Sequence, residues 1–141
     1  MFIFLDIDGV MVSAQSWKKP IILNDNFYQF IESSISALQS LIDKDTTIIL
    51  TTSHRFRFNI QEWKEIFSNR NINISKIKML DKTELNRKDE ILNWFNSNSI
   101  NESFIIIDDD KSLNDLPKFY KDRLILTNSM GLTQGHLNDI K

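Results

Sequence analysis

At 141 residues, with 41% hydrophobic and 26% charged side chains, the chain has the size and composition of one soluble domain able to bury a core, and nothing in it points to extended disorder. The absence of cysteine excludes disulfides and thiolate zinc sites and fits a reducing, cytoplasmic compartment. The apolar opening meets Asp6 without a basic leader, and no run approaches the length of a membrane span. A net charge of −2 argues against indiscriminate binding to nucleic acid while leaving room for a local basic surface.

The chain opens with Met1-Phe2-Ile3-Phe4-Leu5-Asp6-Ile7-Asp8-Gly9-Val10, an apolar run broken by two carboxylates and a glycine. So short a run, aromatic and β-branched, reads as a buried strand of a parallel sheet. Ligands bind at the carboxyl edge of such sheets, and a spacing of two directs Asp6 and Asp8 to the same side where the chain is still extended. Carboxylates held together favour a divalent cation between them or a raised pKa on one. Residues 10–24 show no sustained period and read as a loop or hairpin flap. Its Trp17, Lys18 and Lys19 are read as a solvated flap with one packed indole, in preference to a base-stacking, phosphate-holding patch.

From Asp25 to about Ile42, apolar residues at helical spacing predict a core-facing helix with Asn24 or Asp25 as N-cap. Thr46 to Leu50 predicts a second strand, ending in Thr51-Thr52-Ser53-His54-Arg55. Hydroxyls at such an end suit a phosphate oxygen. His54 and Arg55 read equally as substrate contacts or as an exposed turn. Ile60, Trp63, Ile66 and Phe67 mark a second helix, and Ile74 to Leu80 a third strand. Asn86 with Asp89 three residues on marks the start of another helix, where Arg87 and Lys88 are poorly placed against the macrodipole unless an anion is near. Phe104 to Ile107 repeats the opening design and ends in Asp108-Asp109-Asp110. Three adjacent acids repel strongly when desolvated, and a hard divalent ion such as magnesium relieves this. Arg123 to Thr127 is a fifth strand, and residues 131–136 lead into a short final helix.

These strand ends together resemble the motifs of the haloacid dehalogenase-like (HAD) phosphohydrolases. The apolar strand ending in Asp6-Ile7-Asp8-Gly9-Val10 resembles motif one, which implies that Asp6 is the nucleophile and Asp8 the general acid and base, with its backbone carbonyl on magnesium. By the same resemblance Thr51, with Thr52 one step away, is the motif-two hydroxyl. The motif-three cation is Lys88 by residue identity or Arg87 by spacing, Lys88 being placed first. In motif four, Asp108 is the direct metal ligand and Asp109 holds a metal-bound water or a neighbouring basic group, so the implied metal set is Asp6, Asp8, Asp108 and Asp109. Gly131-Leu132-Thr133 resembles the tail of small HAD proteins associated with RNA repair.

The resemblance spans the chain and implies a single doubly wound α/β domain with strand order five, four, one, two, three. The intervals between motifs leave no room for a cap domain, which implies an open site. Expected from this is a Mg2+-dependent phosphomonoester hydrolase working through an aspartyl-phosphate on a large or exposed substrate, such as an RNA or DNA phosphate end, with no membrane partner. The alternatives are a small-molecule phosphatase or nucleotidase covered by a partner subunit, and a non-catalytic phosphate-binding module.

Overall fold

A computed structural model describes residues 1–15, 19–128 and 130–139. Five strands form one all-parallel sheet: β1 (Phe2–Leu5), β2 (Thr47–Leu50), β3 (Lys76–Met79), β4 (Phe104–Asp108) and β5 (Leu124–Leu126). Their spatial order, β3-β2-β1-β4-β5, is the expected order read from the opposite edge. The helices are α1 (Glu32–Leu41), α2 (Ile60–Ser68), α3 (Arg87–Ser97) and the single-turn α4 (Lys118–Lys121), with short 3-10 turns at Arg55–Arg57, Lys111–Asp115 and Gln134–Asp139.

Side-chain alternation along the strands divides the core between the two faces of the sheet. Ile3, Leu5, Ile48, Leu50, Ile105 and Ile107 pack with Ala37 and Leu38 of α1 and Trp63, Ile66 and Phe67 of α2. Phe4, Ile49, Phe104 and Ile106 face the other way, onto Ile91, Trp94 and Phe95 of α3 and Tyr120 of α4. Here aromatic rings meet edge to face, with Phe4 and Trp94 centroids 5.1 Å apart and their planes at 82°. Strands lined with apolar residues on both faces have to be covered on both, and so the three inner strands, β2, β1 and β4, carry dense apolar runs. Helices α2 and α3 begin where the sequence supplies caps: the Asn59 side chain accepts from the Glu62 amide in a complete capping box, and the Asn86 side chain accepts from the Asp89 amide.

The first helix departs from expectation, because Asp25 to Ile31 are not helical and α1 begins only at Glu32. Asp25 accepts from the Phe27 amide, Asn26 turns with φ 66°, and Ile22 bridges Tyr28 in antiparallel sense, so the flap runs on as a small hairpin. The cause lies 45 residues away: the buried Arg70 guanidinium binds both Asp25 carboxylate oxygens, at 2.6 and 2.9 Å, and donates to the Tyr28 carbonyl at 2.8 Å. Phe27 and Phe30 still reach the core, though not from a helix. The segment Trp17-Lys18 lies outside the described residues, while Lys19 is exposed. Within the described residues, β1 and β2 are separated by this flap and α1, and β2 and β3 by one 3-10 turn and α2. No helix among them is long and apolar enough to cross a membrane.

Candidate active site

The register of the parallel sheet assembles the acids. Leu5 pairs Ile107, and the Asp6 amide continues the ladder onto the Ile107 carbonyl at 3.1 Å, so the residues that follow the apolar runs of β1 and β4 sit side by side. One carboxylate oxygen each of Asp6, Asp108 and Asp109 lies within 4.8 Å of the others. Asp6 and Asp108 are buried and Asp109 is half-buried. The Asp8 side chain stands apart from this group: it is 47% exposed, and its Oδ2 is 2.9 Å from Nε2 of His54. Its expected contribution to a metal was the backbone carbonyl, so this orientation does not conflict with that expectation.

Gly9 makes the close approach of the two acidic loops possible. Its φ of +80° suits a residue without a Cβ, and a Cβ built there would lie 1.9 Å from Oδ2 of Asp109. The loop after β1 is held by the Val10, Met11 and Val12 amides, all donating to the Ile7 carbonyl, and by the buried Thr127 hydroxyl beyond β5, which donates to the Gly9 carbonyl at 2.7 Å.

Of the two adjacent hydroxyls, Thr51 belongs to the cluster, donating to Oδ2 of Asp108 at 3.3 Å. The Thr52 hydroxyl instead accepts from the His54 amide at 3.2 Å and stabilises the turn after β2, so the expectation that it binds phosphate alongside Thr51 has no support in its placement. Of the two adjacent cations, Arg87 reaches the cluster: its Nη1 contacts Oδ2 of Asp108 and lies 3.3 Å from the Thr51 hydroxyl and 3.7 Å from Asp6. Lys88 turns elsewhere, with its ammonium 3.9 Å from Asp89. Successive residues on a helix point about 100° apart, so only one of the pair can face the sheet end. Arg87 is the one in phase with buried Glu90 and Ile91, three and four residues on.

Arg55 is neither a substrate contact nor an exposed turn residue. Its buried guanidinium donates to the carbonyls of Thr51, Thr52, Leu80 and Asp81 and to Glu90, tying the ends of β2 and β3 to α3. Glu90 also accepts from Thr83 at 3.0 Å and lies 3.7 Å from Nε of Arg87, so this buried carboxylate steadies both arginines. Asp110, for which the sequence offered no role, accepts from the Ser112 amide and caps the following 3-10 turn.

Electrostatics single out the first acid. Burial, and then repulsion from Asp108, push Asp6 up to about 9 from an ordinary 3.8, and the attraction of Arg87 does not compensate. Asp109 is raised by the same two causes, burial first and then the repulsion of Asp108. Burial alone would depress the Arg87 guanidinium; Asp108 and Asp6 outweigh it and hold that charge above its ordinary value.

The HAD domain in Swiss Army Knife RNA repair proteins is a family whose pattern matches residues 2–137. The chain belongs to that family. Membership gives this HAD domain a phosphatase-like function, and its buried acidic cluster is in keeping with the divalent metal typical of HAD proteins. No curated protein and no solved structure matches the chain.

Proposed function

We propose that this HAD domain is a Mg2+-dependent phosphomonoester hydrolase that works through an aspartyl-phosphate on Asp6 and acts on phosphate ends of nucleic acid. One observation carries the reading: carboxylates from strands a hundred residues apart in sequence converge within 4.8 Å, beside a hydroxyl and a guanidinium suited to phosphate oxygens. The donor set fits magnesium. Its ligands are hard oxygens, and the repulsion that raises Asp6 is what a divalent ion offsets. Asp6, Asp108 and Asp109, with the Asp8 carbonyl, would hold it, and bound there it supplies charge neutralisation for the phosphate.

In the first step an oxygen of Asp6 bonds to phosphorus while the bond to the leaving oxygen breaks, and Asp8 gives that oxygen its proton. In the second, Asp8 takes a proton from water as the water attacks phosphorus, the Asp6–phosphorus bond breaks, and free Asp6 and phosphate result. Thr51 and Arg87 bind the equatorial oxygens in both steps. The intervals on either side of β2 hold a flap and single helices where a cap would stand, favouring a large substrate.

The test is a phosphoester panel containing 5′- and 3′-phosphorylated RNA and DNA oligonucleotides and mononucleotides, with and without a chelator. Chelator-sensitive release of phosphate from oligonucleotide ends, abolished in Asp6→Asn, is expected. Faster turnover of mononucleotides would replace the polynucleotide substrate with a small one, and full activity in the chelator or in Asp6→Asn would refute the mechanism.

A further inference from the structure

Beside the acid cluster lies a chain of polar contacts that the proposed chemistry does not yet use. Nη1 of Arg57 is 3.2 Å from Nδ1 of His54, and Nε2 of the same ring is 2.9 Å from Oδ2 of Asp8. A guanidinium has only hydrogens to give, so Nδ1 meets it with a lone pair. The ring hydrogen then sits on Nε2 and is donated to Asp8. The ring is 19% exposed, and it stands edge-on to Phe27 and Tyr28, each with its centroid 5.6 Å away. Its backbone amide is fixed by the Thr52 hydroxyl. Both nitrogens, the ring edges and the main chain are therefore held, whereas the carboxylate they point at is nearly half exposed.

We propose that His54 is the positioning residue of Asp8, and that Arg57 keeps His54 in the tautomer this requires; the inference rests on the acid and base role of Asp8 proposed above. With Oδ2 occupied as an acceptor, the carboxyl proton of Asp8 resides on Oδ1. That oxygen hands it to the leaving group as the phosphorus–oxygen bond breaks, and takes one back from water in the second step. His54 keeps its own proton throughout. Misplacing a reacting group by about 1 Å costs on the order of 10²-fold in rate, and this is the size of effect expected when the ring is removed.

The leaving group separates positioning of an acid from general damage. p-Nitrophenolate departs without a proton, whereas the ribose oxygen of a phosphate-ended oligonucleotide needs one. His54→Ala should lower kcat/KM about 10²-fold on the oligonucleotide, mainly through kcat, and only a few-fold on p-nitrophenyl phosphate. His54→Gln, whose amide nitrogen can stand where Nε2 stood, should recover part of the loss. Arg57→Met should weaken oligonucleotide turnover several-fold alone and add nothing in the His54→Ala background.

A second readout needs neither metal nor turnover. The chain has two histidines, so 15N ring spectra of the metal-free protein in a His136→Gln background report His54 alone. The Nε2–H tautomer is expected, giving way to a mixture in Arg57→Met. Equal losses of kcat/KM on both substrates, additive effects of Arg57→Met and His54→Ala on kcat/KM, or an Nδ1–H tautomer would each overturn the proposal. Wild-type protein inert on both substrates would instead refute the proposed function, and with it the role of Asp8 that His54 serves, even with the tautomer as stated. Melting curves of both His54 variants identify a loss due to unfolding.

Discussion

Replacing Asp6 by Asn should make the metal-free protein more stable, by an amount that grows with pH. In the unfolded chain Asp6 titrates near 3.8, and in the folded protein burial and Asp108 move it up to about 9. Between those values the folded state holds a proton that the unfolded state has lost. Stability therefore declines as pH rises, by about 1.4 kcal/mol per pH unit for one proton. The contribution is fully present below 3.8 and is lost as pH climbs through the folded value near 9. From pH 5 to pH 8 the wild-type protein should lose about 4 kcal/mol through this group, a large share of the roughly 5–15 kcal/mol available to a domain. Asn keeps the shape and neutrality of the protonated acid without titrating. Urea unfolding of both proteins in a chelator, at half-unit steps from pH 5 to pH 8, measures the difference. It should grow by about 1.4 kcal/mol per unit in favour of Asp6→Asn, and added Mg2+ should flatten the wild-type curve by taking over the proton's role. Parallel wild-type and variant curves would mean that Asp6 is ionised in the folded protein and that the electrostatic account of the cluster is wrong.

Three other substitutions test separate parts of the structure. Arg87→Met should reduce kcat/KM by about 10²-fold, as for removal of one oxyanion donor, while Lys88→Met stays within about twofold of wild type; the reverse order would restore Lys88 as the motif-three cation. Gly9→Ala places a Cβ 1.9 Å from Asp109 at a φ of +80°. It should cost at least about 1–2 kcal/mol in urea unfolding and weaken metal binding, and an unchanged midpoint would show that the two loops approach less closely. Asp25→Asn leaves buried Arg70 short of its partner and should cost about 1–2 kcal/mol at neutral pH. Because the Arg70 hydrogen bonds hold Asp25 down at about 2 from 3.8, the gap between wild type and variant should be present above 3.8 and close as pH falls through 2. A pH-independent gap would assign the loss to packing.

Local patterns made the strands and their order legible, since each apolar run is dense, short and stopped by a polar residue. The capped starts of α2 and α3 are legible for the same reason: Asn59 and Asn86 act on amides three residues away. What the sequence concealed depends on long-range partners. Phe27, Phe30, Ile31 and Ile35 keep helical spacing, and only the Asp25–Arg70 pair explains why the first half of that stretch is a hairpin. Arg55 and Glu90 look like surface charges until five acceptors are found around the one guanidinium. Nothing local marks His54 as the neighbour of Asp8, since they meet across 46 residues. The choice between Arg87 and Lys88 had a usable signal in the helix phase, because Arg87 stands one turn before Ile91, the fully buried residue of α3.

The location of the site follows from where the hydrophobic runs stop. In a parallel sheet, neighbouring apolar runs that end level bring the residues just beyond them together, and those of β1 and β4 end level because Leu5 pairs Ile107. A slip of one residue in either strand would turn its acid to the opposite face and set a neighbour in its place, Leu5 or Ile7 on β1 and Ile107 or Asp109 on β4. The buried aliphatic rows of both strands oppose such a slip, each side chain contributing about 1.5–3 kcal/mol in the pocket it occupies. The same packing that stabilises the sheet thus forces Asp6 and Asp108 together against their repulsion. An Asp108→Asn variant should consequently lower the folded pKa of Asp6 and make unfolding less pH-dependent, leaving the strands in register.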